Sequence, residues 1–159
     1  MSVGISSAAL QQIMADCRAS PGVETCGLLF GGEGRIDRAE RCENVAVDPA
    51  QTFEIDPRAL IAAYRGMRMG GPTLVGYYHS HPNGSVEPSR RDADAAPADG
   101  MLWLIAAQGG IALWRAVDGG ERHGRFDAVE HHVEASPCAP GDASPEGARP
   151  QDVAGEARG

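Results

Sequence analysis

The sequence predicts an α/β (α+β) domain, and three observations support this class. The chain has 159 residues, which is enough for one domain with its own core. Short apolar strand patterns alternate with two segments of helical spacing, and the last strands read as a meander. Hydrophobic residues make up 42% and charged residues 23%, as in an ordinary globular protein.

The two predicted main helices have clear start and stop signals. Ser6 or Ser7 can cap the first helix, which ends at Pro21-Gly22. Asp56-Pro57 starts the second helix, and Gly70-Gly71-Pro72 breaks it. Predicted strands occupy residues 26–30, 35–47, 52–55, 73–78, 101–107 and 111–117, and one more lies within 123–133.

The end of the chain differs in composition from the rest. Residues from Glu134 to Gly159 are rich in Pro, Gly and Ala and include no aromatic side chain. Such a segment buries too little apolar surface to offset the entropy lost on ordering. We therefore expect a domain over residues 1–133 and a disordered tail over residues 134–159.

Charge, hydropathy and cysteine usage exclude several classes of protein. The formal net charge of −8 disfavours nucleic acid and acidic membranes as partners. Neither an apolar run of 18 residues nor a signal peptide is evident. Because none of the four cysteines belongs to a Cys-x-x-Cys pair, we expect free thiols in a reducing compartment, the cytoplasm.

The segment after the predicted strand 73–78 carries the chemistry. His79 and His81 are two residues apart on an extended chain, so both imidazoles point to the same side. Ser89 follows after seven residues, and Asp92 lies in the first turn of a short predicted helix. Two histidines and a carboxylate can bind zinc, which keeps a fourth position for a water molecule whose pKa falls to about 7.

Each part of this pattern also has a structural interpretation. A His-x-His pair at a strand end is more often structural or solvated than metal-binding. Ser89-x-x-Asp92 resembles a capping box, which would favour the helix dipole and also hold Asp92 in position. Arg90-Arg91 is better explained as a solvated pair than as a site for an acidic substrate or a terminal carboxylate. The remaining aromatic and imidazole candidates are expected to be core side chains (Trp103, Trp114) or surface histidines rather than a second metal site (His123, His131, His132).

The combined pattern is more specific than its parts. His79-Ser80-His81, seven residues, then Ser89 and Asp92 resemble the JAMM motif of the MPN (JAB1/MPN/Mov34) metallopeptidases. The resemblance extends over roughly residues 5–117 and includes the segments 21–29, 53–57 and 103–105. It implies a small stand-alone prokaryotic type, with a mixed curved β-sheet, two main flanking helices and a short helix after the metal motif.

The resemblance also implies a role for each motif residue. His79, His81 and Asp92 would bind Zn²⁺. Glu24 would act as general base and acid, although without the motif it would be interpreted as a solvated acid. Ser89 would help to stabilise the oxyanion of the tetrahedral intermediate. Ser80 points away from the ligands and is expected to be structural.

The family resemblance implies a zinc-dependent metallopeptidase that hydrolyses an amide or isopeptide bond. Small prokaryotic members are associated with the C-terminal Gly-Gly of ubiquitin-like or sulfur-carrier proteins, so such a tail is the expected substrate and partner. One alternative is a JAMM hydrolase acting on cell-wall or phage-tail peptides. A second is a non-catalytic MPN scaffold, which the complete ligand set disfavours. The third is a DNA-linked relative, which the acidic charge disfavours. The oligomeric state stays open.

Overall fold

One β-sheet organises the structure, a computed structural model in which residues 2–135 are described. The strands are β1 (Val3–Ser6), β2 (Cys26–Gly32), β3 (Arg35–Cys42), β4 (Thr73–Ser80), β5 (Leu102–Ala107), β6 (Gly110–Gly120), β7 (Gly124–Val129) and β8 (His131–Glu134). The helices are α1 (Ser7–Ala19), α2 (Pro57–Arg68) and α3 (Arg90–Ala95). The strands of this range form a sheet in the order β7-β6-β5-β4-β2-β3-β1-β8.

The sheet is mixed and strongly curved. β4 runs parallel to β5, and β1 runs parallel to both of its neighbours, whereas the other pairs are antiparallel. β7 and β8 lie at opposite ends of the strand order, yet only Glu130 separates them in the chain. One residue spans at most about 3.6 Å. The two ends of the sheet must therefore meet, and the Val3 N–H closes this junction on the Glu130 carbonyl at 2.8 Å.

The two main helices cover opposite faces of the central strands. Leu29 packs in the cluster that contains Ala9 and Ile13 of α1, whereas its neighbour Leu28 packs in the cluster that contains Ala63 of α2. Successive residues of a strand point to opposite faces, so this split places α1 and α2 on the two sides of β2. The fold class predicted from the sequence, a mixed curved sheet with two main helices and a short third one, is confirmed.

A buried polar contact fastens the central strand β4 to α1. The Tyr78 hydroxyl donates a hydrogen bond of 2.7 Å to Asp16 Oδ2, and both residues are buried. The Tyr78 ring crosses over Gly27 of β2, where a Cβ atom would collide with the ring and with the Glu40 carbonyl. Gly27 is therefore required for the close packing of β2, β3 and β4.

The helix signals in the sequence are confirmed, and the strand boundaries differ in several places. Ser6 caps α1, and Asp56 caps α2 with Pro57 in its first turn. The predicted strand 52–55 is reduced to a bridge from Ile55 to Asn44, and the predicted strand 35–47 ends at Cys42. β1 was not predicted because its pairing is entirely non-local.

The last predicted strand is divided in two, and three of the four cysteines are free thiols in the described range. The single strand predicted within 123–133 is divided into β7 and β8, because the chain changes partners at Glu130. β8 includes Glu134, and the predicted tail beyond residue 135 lies outside the described residues. Cys17, Cys26 and Cys42 are buried free thiols, and Cys138 lies outside the described range. No helix within residues 2–135 combines the length and the apolar composition that a membrane span requires.

We predict that Gly27→Ala lowers the free energy of unfolding by about 2 kcal/mol, because an added methyl group in a closely packed sheet forces backbone or ring movement. Urea denaturation measures this change. Gly22→Ala is the matched control, since a Cβ atom there meets nothing within 4 Å, and its effect should stay within about 0.5 kcal/mol. Equal stability of the two variants would contradict the packing argument.

Candidate functional site

Two histidines lie at the carboxyl end of the central strand β4. His79 pairs with Cys26 of β2 and Ile105 of β5, so its ring is enclosed by strands on both sides and is fully buried. His81 follows β4 directly, and its N–H donates to the Ala106 carbonyl at 2.9 Å. Because alternate residues of an extended chain share a face, both imidazoles point to one side of the sheet.

Asp92 of α3 meets the two histidines. The distance from His79 Nε2 to His81 Nε2 is 3.0 Å, and Asp92 Oδ2 lies 3.3 Å and 3.2 Å from these two atoms. Two ligand atoms bound tetrahedrally to zinc at about 2.0–2.1 Å are about 3.3–3.4 Å apart. The three atoms are therefore spaced as three corners of a zinc coordination tetrahedron, and the donor set fits this metal.

The electrostatics of the cluster favour the protonation states that a metal requires. Burial lowers the pKa of His79, so its imidazole stays neutral. Burial opposes ionisation of Asp92, but the hydrogen bonds from His79 and His81 outweigh it and hold the pKa of this carboxyl far below its usual range. Burial alone would lower the pKa of His81. The hydrogen bond to Asp92 and the negative charge of that carboxylate outweigh burial, so the pKa of His81 is raised. A divalent cation would displace that proton.

Neighbouring groups fix the orientation of each candidate ligand. His81 Nδ1 lies 3.0 Å from the Ser85 carbonyl, so the proton on Nδ1 leaves Nε2 free to face the cluster. The His79 ring stacks on Phe53 with centroids 4.2 Å apart. Ser89 and Asp92 form a capping box, because each side chain accepts a hydrogen bond from the backbone N–H of the other. The capping box predicted from the sequence is thus confirmed, and it orients the Asp92 carboxylate.

Glu24 lies beside this cluster although it is far away in the chain. It belongs to the segment between α1 and β2, is buried, and has its Oε1 atom 3.9 Å from His81 Nε2. Its Oε2 atom is also buried and has no hydrogen-bond partner among the described residues. Burial raises the pKa of Glu24 to about 7, so the carboxyl can both accept and release a proton near neutral pH.

An open cleft gives access to the cluster. Its volume is about 520 Å³. One wall comes from the loop after β3, and the other comes from the segment that leads into α3. The residues that line the cleft include Glu24, Gln51, His81, Ser89, Arg90 and Arg91. Arg91 also lies close enough to Glu24 to lower the pKa of that carboxyl, against the larger effect of burial.

The other candidate residues from the sequence lie outside the cluster. His123 contacts the Pro88 carbonyl, and His132 contacts Glu134. Within residues 2–135, neither histidine belongs to a group of three or more side chains that could bind a metal ion. Trp103 and Trp114 are buried, as predicted. The Ser80 hydroxyl points away from the candidate ligands and accepts hydrogen bonds from the N–H and the hydroxyl of Thr25.

Sequence reasoning missed the contact between Phe53 and His79 and the role of Asn44 in the loop after β3. Phe53 was noted as part of the family resemblance, but nothing in a single sequence indicates that it covers a histidine 26 positions later. Asn44 makes side-chain hydrogen bonds to residues 24, 46, 52 and 54, a set that no local pattern encodes.

Sequence comparison finds relatives that are named as desampylases, as a probable conjugate cleaving protease and as a phage tail tip assembly protein. The desampylase of Haloferax volcanii is 33% identical over 92 residues, which cover 57% of this chain and 66% of that protein. A probable TtuB-protein conjugate cleaving protease of Thermus thermophilus is 35% identical over 68 residues, covering 43% of this chain and 46% of that protein. Tail tip assembly protein K of Escherichia phage N15 is 29% identical over 98 residues, which cover 62% of this chain and 38% of that protein. The matched segments thus span less than two thirds of these relatives.

Structure comparison finds the same fold in solved proteins. The solution structure of a Desulfitobacterium hafniense protein superposes with a TM-score of 0.71 at 24% identity, covering 84% of this chain and 93% of that one. A JAB1/MPN domain protein from Archaeoglobus fulgidus superposes with a TM-score of 0.51 at 18% identity, and the match covers 82% of this chain and 98% of that one. At these identities the likeness supports the fold.

The family model of prokaryotic homologs of the JAB domain matches residues 6–117, a range that contains every residue of the cluster and Glu24. The match covers well over half of the chain and ends within the strand β6. The chain therefore belongs to the family of prokaryotic homologs of the JAB domain.

Proposed function

We propose that the chain is a zinc-dependent hydrolase that cleaves an amide or isopeptide bond at the C-terminal Gly-Gly of a ubiquitin-like or sulfur-carrier protein. The observation that carries this proposal is the spacing of His79, His81 and Asp92, with the buried carboxyl of Glu24 beside them. Zinc held by these three residues would polarise a substrate carbonyl and make water acidic enough to react at neutral pH.

Glu24 and Ser89 would contribute the remaining chemistry from the chain itself. The Glu24 carboxylate would accept a proton from water as the water oxygen bonds to the carbonyl carbon. It would then release this proton to the amide nitrogen as the carbon–nitrogen bond breaks, which leaves a carboxylic acid and an amine; transfer of the acid's proton to the amine gives a carboxylate and an ammonium group. The Ser89 hydroxyl accepts from the Asp92 N–H at 3.0 Å and still has its own hydrogen to donate to the oxyanion.

The relatives support the substrate class. One is named a desampylase and another a probable TtuB-protein conjugate cleaving protease. An extended Gly-Gly tail has no side chains, so its backbone could approach the floor of the cleft closely. The buried free thiols Cys17, Cys26 and Cys42 are in keeping with action in a reducing compartment such as the cytoplasm.

A second candidate function is hydrolysis of a different peptide, such as a cell-wall or phage-tail substrate. The similarity to the phage tail tip assembly protein favours it. The same cluster and the same Glu24 would act in both cases, so only the substrate distinguishes the two. A non-catalytic scaffold is disfavoured, because it does not require three buried ligand atoms at tetrahedral spacing beside a carboxyl whose Oε2 atom has no hydrogen-bond partner among the described residues.

We predict that Asp92→Asn and His79→Ala lose bound zinc, because each removes one of three ligand atoms. Elemental analysis of purified protein should give about one zinc per wild-type chain and almost none in either variant. Asp92→Asn preserves the side-chain shape, so a misfolded protein would not explain its loss. His132→Ala, at an exposed histidine, should keep its zinc. Full occupancy in Asp92→Asn would refute the ligand set.

We predict that Glu24→Gln keeps zinc but lowers turnover by about 100-fold or more, because the amide cannot accept a proton. The assay is mass spectrometry of a ubiquitin-like or sulfur-carrier protein extended beyond its C-terminal Gly-Gly. Loss of the extension with wild type and its retention with Glu24→Gln are expected. Glu33→Gln removes the same charge from an exposed turn and should cleave normally. Unimpaired cleavage by Glu24→Gln would eliminate the proposed role of this residue.

If zinc-loaded wild type leaves every Gly-Gly substrate intact, the carrier-tail proposal fails. Cleavage of a cell-wall peptide by the same preparation would then favour the second candidate function. The metal measurement is independent of both substrates, so it separates an error in the site from an error in the substrate.

A further inference from the structure

The backbone of Glu24 is held by a loop that is remote in sequence. Glu24 lies between α1 and β2, where no ladder of strand or helix hydrogen bonds fixes the chain. Its N–H donates to the Pro49 carbonyl at 2.7 Å, and its own carbonyl accepts from Asn44 Nδ2 at 2.9 Å. Both partners belong to residues 43–56, which join β3 to α2 and which we call the β3–α2 loop.

Asn44 uses all the hydrogen-bonding capacity of its carboxamide at this point. Nδ2 donates to the carbonyls of Glu24 and Thr52, the latter at 3.1 Å. Oδ1 accepts from the N–H groups of Ala46 at 3.0 Å and Glu54 at 3.1 Å. Two donors and two acceptors are what a primary amide offers, so no other side chain of this size can satisfy the same four backbone groups.

The Glu24 carboxyl itself has little to hold it. One oxygen lies 3.9 Å from His81 Nε2, and the other has no hydrogen-bond partner among the described residues. On the C-terminal side, Thr25 is fastened to β4 because its N–H donates to Ser80 Oγ at 2.9 Å. The position of the carboxyl therefore depends on its backbone, which is held by Pro49 at the Glu24 N–H, by Asn44 at the Glu24 carbonyl and by Ser80 at the Thr25 N–H.

We propose that Asn44 is a positioning residue, which places the carboxyl of Glu24 against the metal cluster by locking the β3–α2 loop onto the Glu24 backbone. The expected change in kcat rests on the proposed function. The fixing of the Glu24 backbone by the loop rests on the hydrogen bonds alone. The same loop provides Ala50 and Gln51 to the wall of the cleft. One amide thus fixes the general base and one side of the substrate cleft together.

Asn44→Asp is the most informative variant because it keeps the shape of the side chain. The carboxylate can still accept from Ala46 and Glu54, but it can no longer donate to Glu24 and Thr52, and it places negative charge against two carbonyl oxygens. Misplacement of a catalytic group by about 1 Å can cost about 100-fold in rate. We expect kcat to fall by about 10- to 100-fold, KM to stay within about threefold, and zinc content to stay at about one per chain.

Hydrogen exchange gives a readout that does not depend on substrate. In the purified protein, the exchange of the Glu24 and Thr25 amides, followed by NMR, should accelerate by about tenfold or more in Asn44→Asp. The amides of Leu104 and Ile105 in β5 should exchange as in wild type. A general loss of stability would instead accelerate all of these amides together.

Two control variants separate positioning from charge and from stability. Gln11→Glu introduces the same change from amide to carboxylate on an exposed part of α1. Ile13→Val removes one methyl group from the buried side of α1, which lowers stability without touching the loop. Both variants should keep the wild-type kcat. In both, the ratio of the amide exchange rate of Glu24 to those of Leu104 and Ile105 in β5 should also stay as in wild type.

Two results would overturn the inference. The first is a kcat of Asn44→Asp within twofold of wild type, and the second is unchanged exchange at Glu24 and Thr25. If wild type cleaves no Gly-Gly substrate, the proposed function fails. The exchange measurement then decides the inference by itself, because acceleration limited to Glu24 and Thr25 supports it and its absence refutes it.

Discussion

The antiparallel pairing of β2 with β4 is the constraint on which the site depends. In this pairing the start of one strand lies beside the end of the other, and Cys26 is opposite His79. The segment that precedes β2 and the residue that follows β4 therefore come close together, and the β3–α2 loop then holds the backbone of Glu24. A carboxyl and two imidazoles that are more than 50 positions apart become neighbours because the strands run in opposite directions. The register of this ladder brings the carboxyl and the imidazoles into the same region, and the β3–α2 loop holds the Glu24 backbone there.

That register is enforced from the opposite face of the sheet. Tyr78, which precedes His79, points towards α1 and is held by Asp16, while Gly27 leaves room for its ring. A slip of one residue would turn His79 away from Asp92 and force Tyr78 into the cluster. The packing of α1 and the alignment of the candidate ligands thus depend on the same register of β4.

The sequence was most informative where structure is local. The cap at Ser6, the Asp56-Pro57 helix start and the Ser89–Asp92 capping box all depend on residues within a few positions of one another, and all were predicted. β1 was not predicted, and β8 was not separated from β7, because each is short and pairs with partners from distant parts of the chain. The place of Glu24 came only from family resemblance. Its physical basis lies in the β3–α2 loop, whose contacts have no periodic pattern.

The junction at Glu130 has a consequence for folding kinetics. β1 is among the first residues of the chain, yet its longest ladder, Val3–Ser6 with His131–Glu134, is formed with the last strand of the described range. Closing a loop of this length costs chain entropy before any contact is gained, so we expect this ladder to form late in folding. During synthesis, Val3 and Ile5 of the main core can complete their packing only after β8 has left the ribosome. A ring-shaped sheet thus delays completion of its core until the two ends of the domain have met.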